Sequence, residues 1–180
     1  MLASEYIQSK DKTHLAQINE WLNYLGLAKK VGVSRVGSSD LFDVSLTLAD
    51  DKALPIADLG YGLSQVLPVL TQCSFAPEDA TLLFEQPELH LHEGAARLLA
   101  GVFVETSTKK KANIIIETHS KELIHELFQQ INNKMLDVNN FVIYCVKRED
   151  GKSQYTKVDL NYEDGKVEIS NNHPWFKSLE

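Results

Sequence analysis

The chain has 180 residues, the size of one domain, and is 43% hydrophobic and 24% charged. That composition excludes a disordered or fibrous protein and supplies one core that buries about two-thirds of the unfolded surface. With 25 acidic against 18 basic residues the net charge is −7, which argues against a stand-alone domain that coats nucleic acid through a basic face.

No stretch approaches the ~20 apolar residues that a membrane-crossing helix needs, and Met1 to Lys12 carries no apolar run of signal-peptide type. A cytoplasmic protein with no membrane association is expected. Cys73 and Cys145 each sit in an apolar run, far apart, and read as buried thiols without a zinc or redox partner.

Along the chain, Leu15, Ile18, Leu22 and Leu25 recur at helical spacing, with Thr13 as a start and Gly26 as a stop. Val31 to Val36 and Phe42 to Leu48 follow as a strand pair, the second alternating apolar and polar residues. After Pro55 comes Leu59-Gly60-Tyr61-Gly62 and a helix capped by Ser64, with Val66, Leu67, Leu70 and Cys73 on one face. Pro68 is either tolerated near the first turn or kinks that helix.

Thr81 to Phe84 is an apolar run ending in Glu85, and Asn113 to Ile116 is another ending in Glu117. Both read as strands covered on two faces. Glu93 to Val104 is the helix between them, and a helix capped by Ser120 follows the second. Lys109-Lys110-Lys111 then falls between helix and strand as a solvated basic loop. His125 joins Glu122 and Glu126 in a charge cluster on a helix surface. Phe141 to Val146 is a third strand, and Tyr155 to Leu160 and Lys166 to Ile169 follow, joined through Glu163-Asp164-Gly165. The alternation predicts an α/β fold, a mainly parallel sheet flanked by helices, preceded by an N-terminal helix and β-hairpin. In such sheets ligands gather at the carboxyl ends of the strands.

Two polar clusters fall at those ends. The first is Leu82-Leu83-Phe84-Glu85-Gln86-Pro87-Glu88, continuing to His92. An apolar strand tipped by an acid is the Walker B pattern, in which the carboxylate holds a water of a Mg²⁺ shell beside nucleotide phosphates. The second is Ile116-Glu117-Thr118-His119-Ser120, which can aim an imidazole and helix-start N–H groups at an anion or be a satisfied loop histidine beside a cap. Gly60-Tyr61-Gly62-Leu63-Ser64-Gln65 adds glycines ahead of a helix, either a close approach for phosphate or an ordinary turn.

Together and in this order, the three segments resemble the C-terminal half of an ABC-type ATPase, and most of all the bacterial OLD-like AAA ATPases related to SMC and RecF proteins. The likeness runs from about Asn19 to Trp175. It implies that Gly60, Gly62 and Ser64 belong to a nucleotide-binding signature loop, that Glu85 is the Walker B acid holding Mg²⁺ through water, that Gln86 occupies the catalytic glutamate position, and that His119 is the switch histidine. It also implies a single domain over 1–180: helix and hairpin over 1–54, the signature, Walker B and switch core over 55–146, and C-terminal strands and tail over 147–180.

Three departures from the family pattern stand out. The P-loop G-x-x-x-x-G-K-[ST] is absent: Gly32 and Gly37 have its spacing, but Ser38 stands where the lysine belongs. The chain therefore resembles half an ATPase, whose ATP site is completed by a P-loop half outside it. Gln86 is a neutral amide that orients water but is a poor base, which implies slow hydrolysis with Glu85 or Glu88 sharing the base role. Gly60 stands where the signature serine belongs, and Ser64 takes that place only in a shifted register.

The resemblance implies ATP and Mg²⁺ as ligands, a homodimer of complete heads, and work on DNA or in phage defence beside a nuclease effector. The competing expectation is a non-catalytic interaction module that keeps the fold and docks a partner. His90 and His92 raise a metal reading with Glu88, against a structural or dimer-contact role.

Overall fold

The computed structural model describes residues 12–163 and 165–169. Residues 1–11, Asp164 of the expected turn, and the tail through Trp175 lie outside the described residues. Helix α1 spans Thr13–Tyr24, with Ile18, Trp21 and Leu22 buried at helical spacing. It stops where Gly26 takes φ +67°, a left-handed position that suits glycine, and Gly26 N–H donates to Asn23 O at 2.9 Å. Trp21 Nε1 donates to Glu105 Oε2 (2.9 Å), and Val31 N–H donates to Asn19 Oδ1 (2.8 Å), fixing α1 between the later helix and the first strand.

Strands β1 (Lys30–Arg35), β2 (Phe42–Thr47) and β3 (Ala53–Pro55) form an antiparallel meander, with Val31 opposite Leu46 on the buried face. The segment Gly32–Ser39 starts inside β1 and ends in the turn that leads to β2. Helix α2 spans Tyr61–Phe75 and runs on through Pro68. Its N-cap is Gly60, in an extended conformation, so Ser64 lies within the first helical turns and is not the cap expected for it.

Strand β4 (Thr81–Glu85), helix α3 (Glu93–Lys110) and strand β5 (Asn113–Glu117) form one parallel crossover, in the register Leu83 to Ile115 and Glu85 to Glu117. Helix α4 (Lys121–Asn132) follows, capped by Ser120 Oγ, which accepts from Leu123 N–H at 3.1 Å. Strands β6 (Tyr144–Glu149) and β7 (Lys152–Lys157) form a hairpin, as do β8 (Leu160–Glu163) and β9 (Lys166–Ile169).

The fold is α/β, but the mainly parallel sheet is not what the described residues show. Among the described residues five ladders make four small sheets, and only β4 with β5 is parallel. Short connections force antiparallel return, and Asp150 (φ +49°) and Gly151 (φ +77°) make a two-residue hairpin turn that sends β7 back along β6. Strand β6 also begins at Tyr144, three residues after the expected Phe141 start.

Two further expectations change. Helix α3 extends to Lys110, so Lys109 and Lys110 lie in its last turn and not in a loop. Lys109 pairs with Glu105 at 2.8 Å, while Lys110 Nζ donates to the carbonyls of Cys73 (3.0 Å), Ser74 and Ala76 (3.0 Å) at the end of α2. Glu126 is buried, not solvated: Arg97 Nε donates to its Oε2 at 2.7 Å, tying α3 to α4. The core runs from Ile18, Trp21 and Leu22 through Val66 and Leu70 to Phe84, Leu99, Leu123 and Ile131. Cys73 lies within it, and burial pushes its thiol up to about 11; Cys145 is half-buried.

Candidate functional site

The polar site grows from the two strand ends. Beyond β4, Gln86 adopts φ +44°, a conformation disfavoured for a side-chain-bearing residue, while its N–H donates to Glu117 O at 2.8 Å. That bond carries the parallel ladder one residue past Glu85 and then turns the chain sharply. Leu89 N–H returns to Gln86 O (3.0 Å) and Leu91 N–H to Glu88 O (3.0 Å), with His90 at φ +65° in the second turn. His92 closes the loop as the N-cap of α3, its Nδ1 accepting from Ala95 N–H at 3.1 Å.

Beyond β5, Thr118 Oγ1 accepts from Ser120 N–H at 2.9 Å and donates to Glu88 Oε1. This bond ties the loop after β4 to the loop after β5. Glu88 Oε2 is shielded from solvent and has no hydrogen-bond partner among the described residues. A cavity of about 300 Å³ opens between the two loops, with Gln86, Glu88, His90, His119, Ser120 and Glu122 in its wall. Its place outside the carboxyl ends of β4 and β5 is where ligands bind in open parallel sheets.

Gln86 and His119 are therefore brought together. Glu85 is not in that wall: the strand alternation puts it on the same side as Leu83, exposed, opposite Glu117. The start of α2 reaches the same loop from another side. A Cβ on Gly62 would stand 2.7 Å from His90 O, so glycine is required there for backbone to meet backbone, and the Tyr61 ring lies 5.7 Å from the His90 imidazole. Gly60 and Ser64 belong to this helix start but not to the cavity wall.

Sequence reading named Glu88 as a sharer of the base role and as a metal candidate, and Thr118 only as part of a motif. Their direct bond depends on the one-residue extension of the ladder at Gln86, which no spacing rule signals. The metal reading of His90 and His92 finds no support, since His92 Nδ1 serves the helix cap. Among the described residues no group of three or more His, Cys, Asp or Glu could hold a metal ion. The carboxylates of Glu85 and Glu117, at the tip of the ladder, are the hard oxygen donors that suit Mg²⁺. Among the described residues no lysine or arginine lines the cavity.

The fold is that of SMC ATPase heads. The structure is similar to one described under ATP-driven dimerization and DNA-stimulated activation of SMC ATPases, with TM-score 0.60 and 16% identity over 82% of this chain and 84% of that one. It is similar also to the Pyrococcus furiosus Smc head domain with an extended coiled coil bound to the C-terminal domain of ScpA (0.59, 15%, 82% and 35%) and to the Thermotoga maritima SMC head domain (0.52, 12%, 88% and 51%).

By sequence, residues 13–125 match the family described as AAA domain, putative AbiEii toxin, Type IV TA system, and the chain belongs to that family. An OLD nuclease of Thermus scotoductus is 25% identical in an alignment of 169 residues that covers 88% of this chain and 32% of the nuclease. The chain thus spans about a third of that relative's length. No helix among the described residues is long and apolar enough to cross a membrane.

Proposed function

We propose that this chain is the C-terminal lobe of a cytoplasmic ABC-type ATPase, a single domain with its signature, Walker B and switch elements in residues 55–146. It supplies these to an ATP site that a P-loop-bearing half completes. The observation that carries the reading is the convergence of Gln86, Glu88 and His119 on one cavity at the carboxyl ends of the parallel pair, with the Gly62 helix start packed on the same loop.

The chain's own residues divide the work. Glu85 holds Mg²⁺ through water, and the cation offsets phosphate charge when bound. Gln86 orients the attacking water from the loop end, and His119 hydrogen-bonds the terminal phosphate. Gly60, Gly62 and Ser64 present the start of α2 to the nucleotide of a second head, so that ATP joins two heads into a homodimer. The kinship with an OLD nuclease and the likeness to SMC heads support DNA, with a nuclease effector, as the object of this cycle.

Completion by another half is supported by the parallel pair itself. Leu83 and Ile115, opposite each other in register, are 69% and 57% exposed, whereas parallel pairs are normally covered on both faces. Calorimetry tests the proposal. The isolated chain should show no tight ATP binding and no hydrolysis, and adding the P-loop half should produce both. Tight binding by the isolated chain would place the phosphate site elsewhere.

A further inference from the structure

We infer that the outer face of the β6–β7 hairpin is a binding surface for single-stranded DNA. The choice of DNA rests on the reading above; the surface is defined by the hairpin alone. Ile143 and Cys145 pack against the core, so strand alternation turns Tyr144, Val146 and Arg148 away from it. The ladder sets Lys157 opposite Tyr144, Tyr155 opposite Val146 and Ser153 opposite Arg148. One face of the hairpin thus carries two tyrosines, two cations and no acid.

Tyr144, Val146 and Tyr155 are 55%, 58% and 69% exposed, and every residue of β7 is wet, so this patch is not core. Tyr144 and Tyr155 are diagonal neighbours across the ladder, about 7–8 Å apart, and offer two rings to successive unpaired bases. Lys147, Arg148, Lys152 and Lys157 give the hairpin four cations against Glu149 and Asp150, in a chain of net charge −7. Both acids lie at the turn, and among the described residues none of the four cations forms an ion pair. Clustered, unpaired cations favour a polyanion, and the acidic remainder of the chain confines such binding to the hairpin. Charge separates this face from the wet face of β4 and β5, where Glu85 and Glu117 stand beside Leu83 and Ile115.

In the bound state Tyr144 and Tyr155 stack on two bases, while Arg148 and Lys157, at opposite ends of the row, meet the flanking phosphates. Two phosphate contacts position the strand without reading its sequence.

Fluorescence anisotropy of a labelled oligo(dT) with the isolated 180-residue chain tests this. The wild type should bind with Kd on the order of 10⁻⁵ M at about 50 mM salt, and log K should fall with log salt at a slope of about −1.4, for two phosphates. Y144A/Y155A should weaken binding at least about tenfold with the slope unchanged, and Y144F/Y155F should bind as the wild type does. R148Q/K157Q should weaken binding about tenfold and flatten the slope. K147Q/K152Q removes the same charge from the opposite face and should change Kd less than about threefold. These side chains are exposed, so the variants should melt as the wild type does; if Y144A/Y155A fails to fold, the two charge variants decide. An unchanged Kd in either variant of the tyrosine face, equal losses from the two charge variants, or equal affinity for a duplex of the same length overturns the inference. So does absence of wild-type binding at about 10⁻⁴ M, the weak end of non-specific affinity. Each of these results leaves the ATPase reading standing, because no nucleotide site enters the measurement. Oligo(rU) bound more than about tenfold tighter than oligo(dT) overturns DNA as the ligand.

Discussion

Leu83 and Ile115 face each other across the parallel ladder, and both turn their side chains to solvent, while their neighbours Phe84 and Ile116 pack on the core side. A parallel pair wet on one face is an incomplete layer. The L83S/I115S double variant should therefore leave the isolated chain's melting temperature within about 2 °C, because surface substitutions cost only ~0.5 kcal/mol or less. The same variant should fail to retain ATP in the assembly. Scanning calorimetry and nucleotide retention check the two halves, and a large loss of isolated-chain stability would show the face to be already covered.

Gly62 is held by a neighbour on the other side of the site. Its missing side chain leaves room for His90 O, and an alanine Cβ would stand 2.7 Å from that oxygen, so backbone must move. Gly62→Ala should cost about 1–3 kcal/mol by overpacking. Urea unfolding checks this. A variant as stable as the wild type would mean that the loop from Pro87 to His92 gives way freely.

Lys110 serves as a cap for a helix other than its own. Its ammonium donates to three carbonyls at the end of α2, and Lys110→Met leaves them unpaired. The expected loss is about 2–4 kcal/mol, since bonds from a charged donor are the stronger kind. Burial lowers the Lys110 pKa, so the charged form is held there at a cost that the three acceptors offset. A loss below about 0.5 kcal/mol in urea titration would assign these carbonyls to water instead.

The pH dependence of stability has a marked component at Cys73. Burial raises its thiol from 9.0 to about 11, so the folded state keeps the proton where the unfolded chain loses it. This contribution is fully present below pH 9 and is lost as pH rises towards 11, amounting to ~3 kcal/mol at most. Comparing wild type with Cys73→Ala in urea melts from pH 8 to 11 isolates it from Lys110, which shifts in the opposite direction. Parallel pH profiles for the two proteins would contradict the assignment.

What the sequence discloses depends on whether the signal is local. The acid-tipped runs at Glu85 and Glu117 read as neighbouring strands because uninterrupted apolar residues leave few alternatives, and they do pair in register. Helix α4 was legible for the same reason, with its Ser120 cap in place. Non-local choices were not: Ser64 looks like a cap until Gly60 takes the extended conformation, and Lys110 looks solvated until α2 is seen to end beside it. The antiparallel β6–β7 pairing carried an Asp150-Gly151 turn signal that outweighs the strand–helix alternation. At the site, Gln86, Glu88 and His119 were named by motif. Their meeting in one cavity needed the sharp turn at Gln86, a backbone strain with no sequence signature.

The central claim is that the loops after β4 and β5 form one side of a composite triphosphate site. The most direct measurement is a structure of the assembly with a non-hydrolysable ATP analogue and Mg²⁺. The account predicts the terminal phosphate between Gln86 and His119, within hydrogen-bond reach of both side chains. An analogue bound with its phosphates away from this cavity would contradict it.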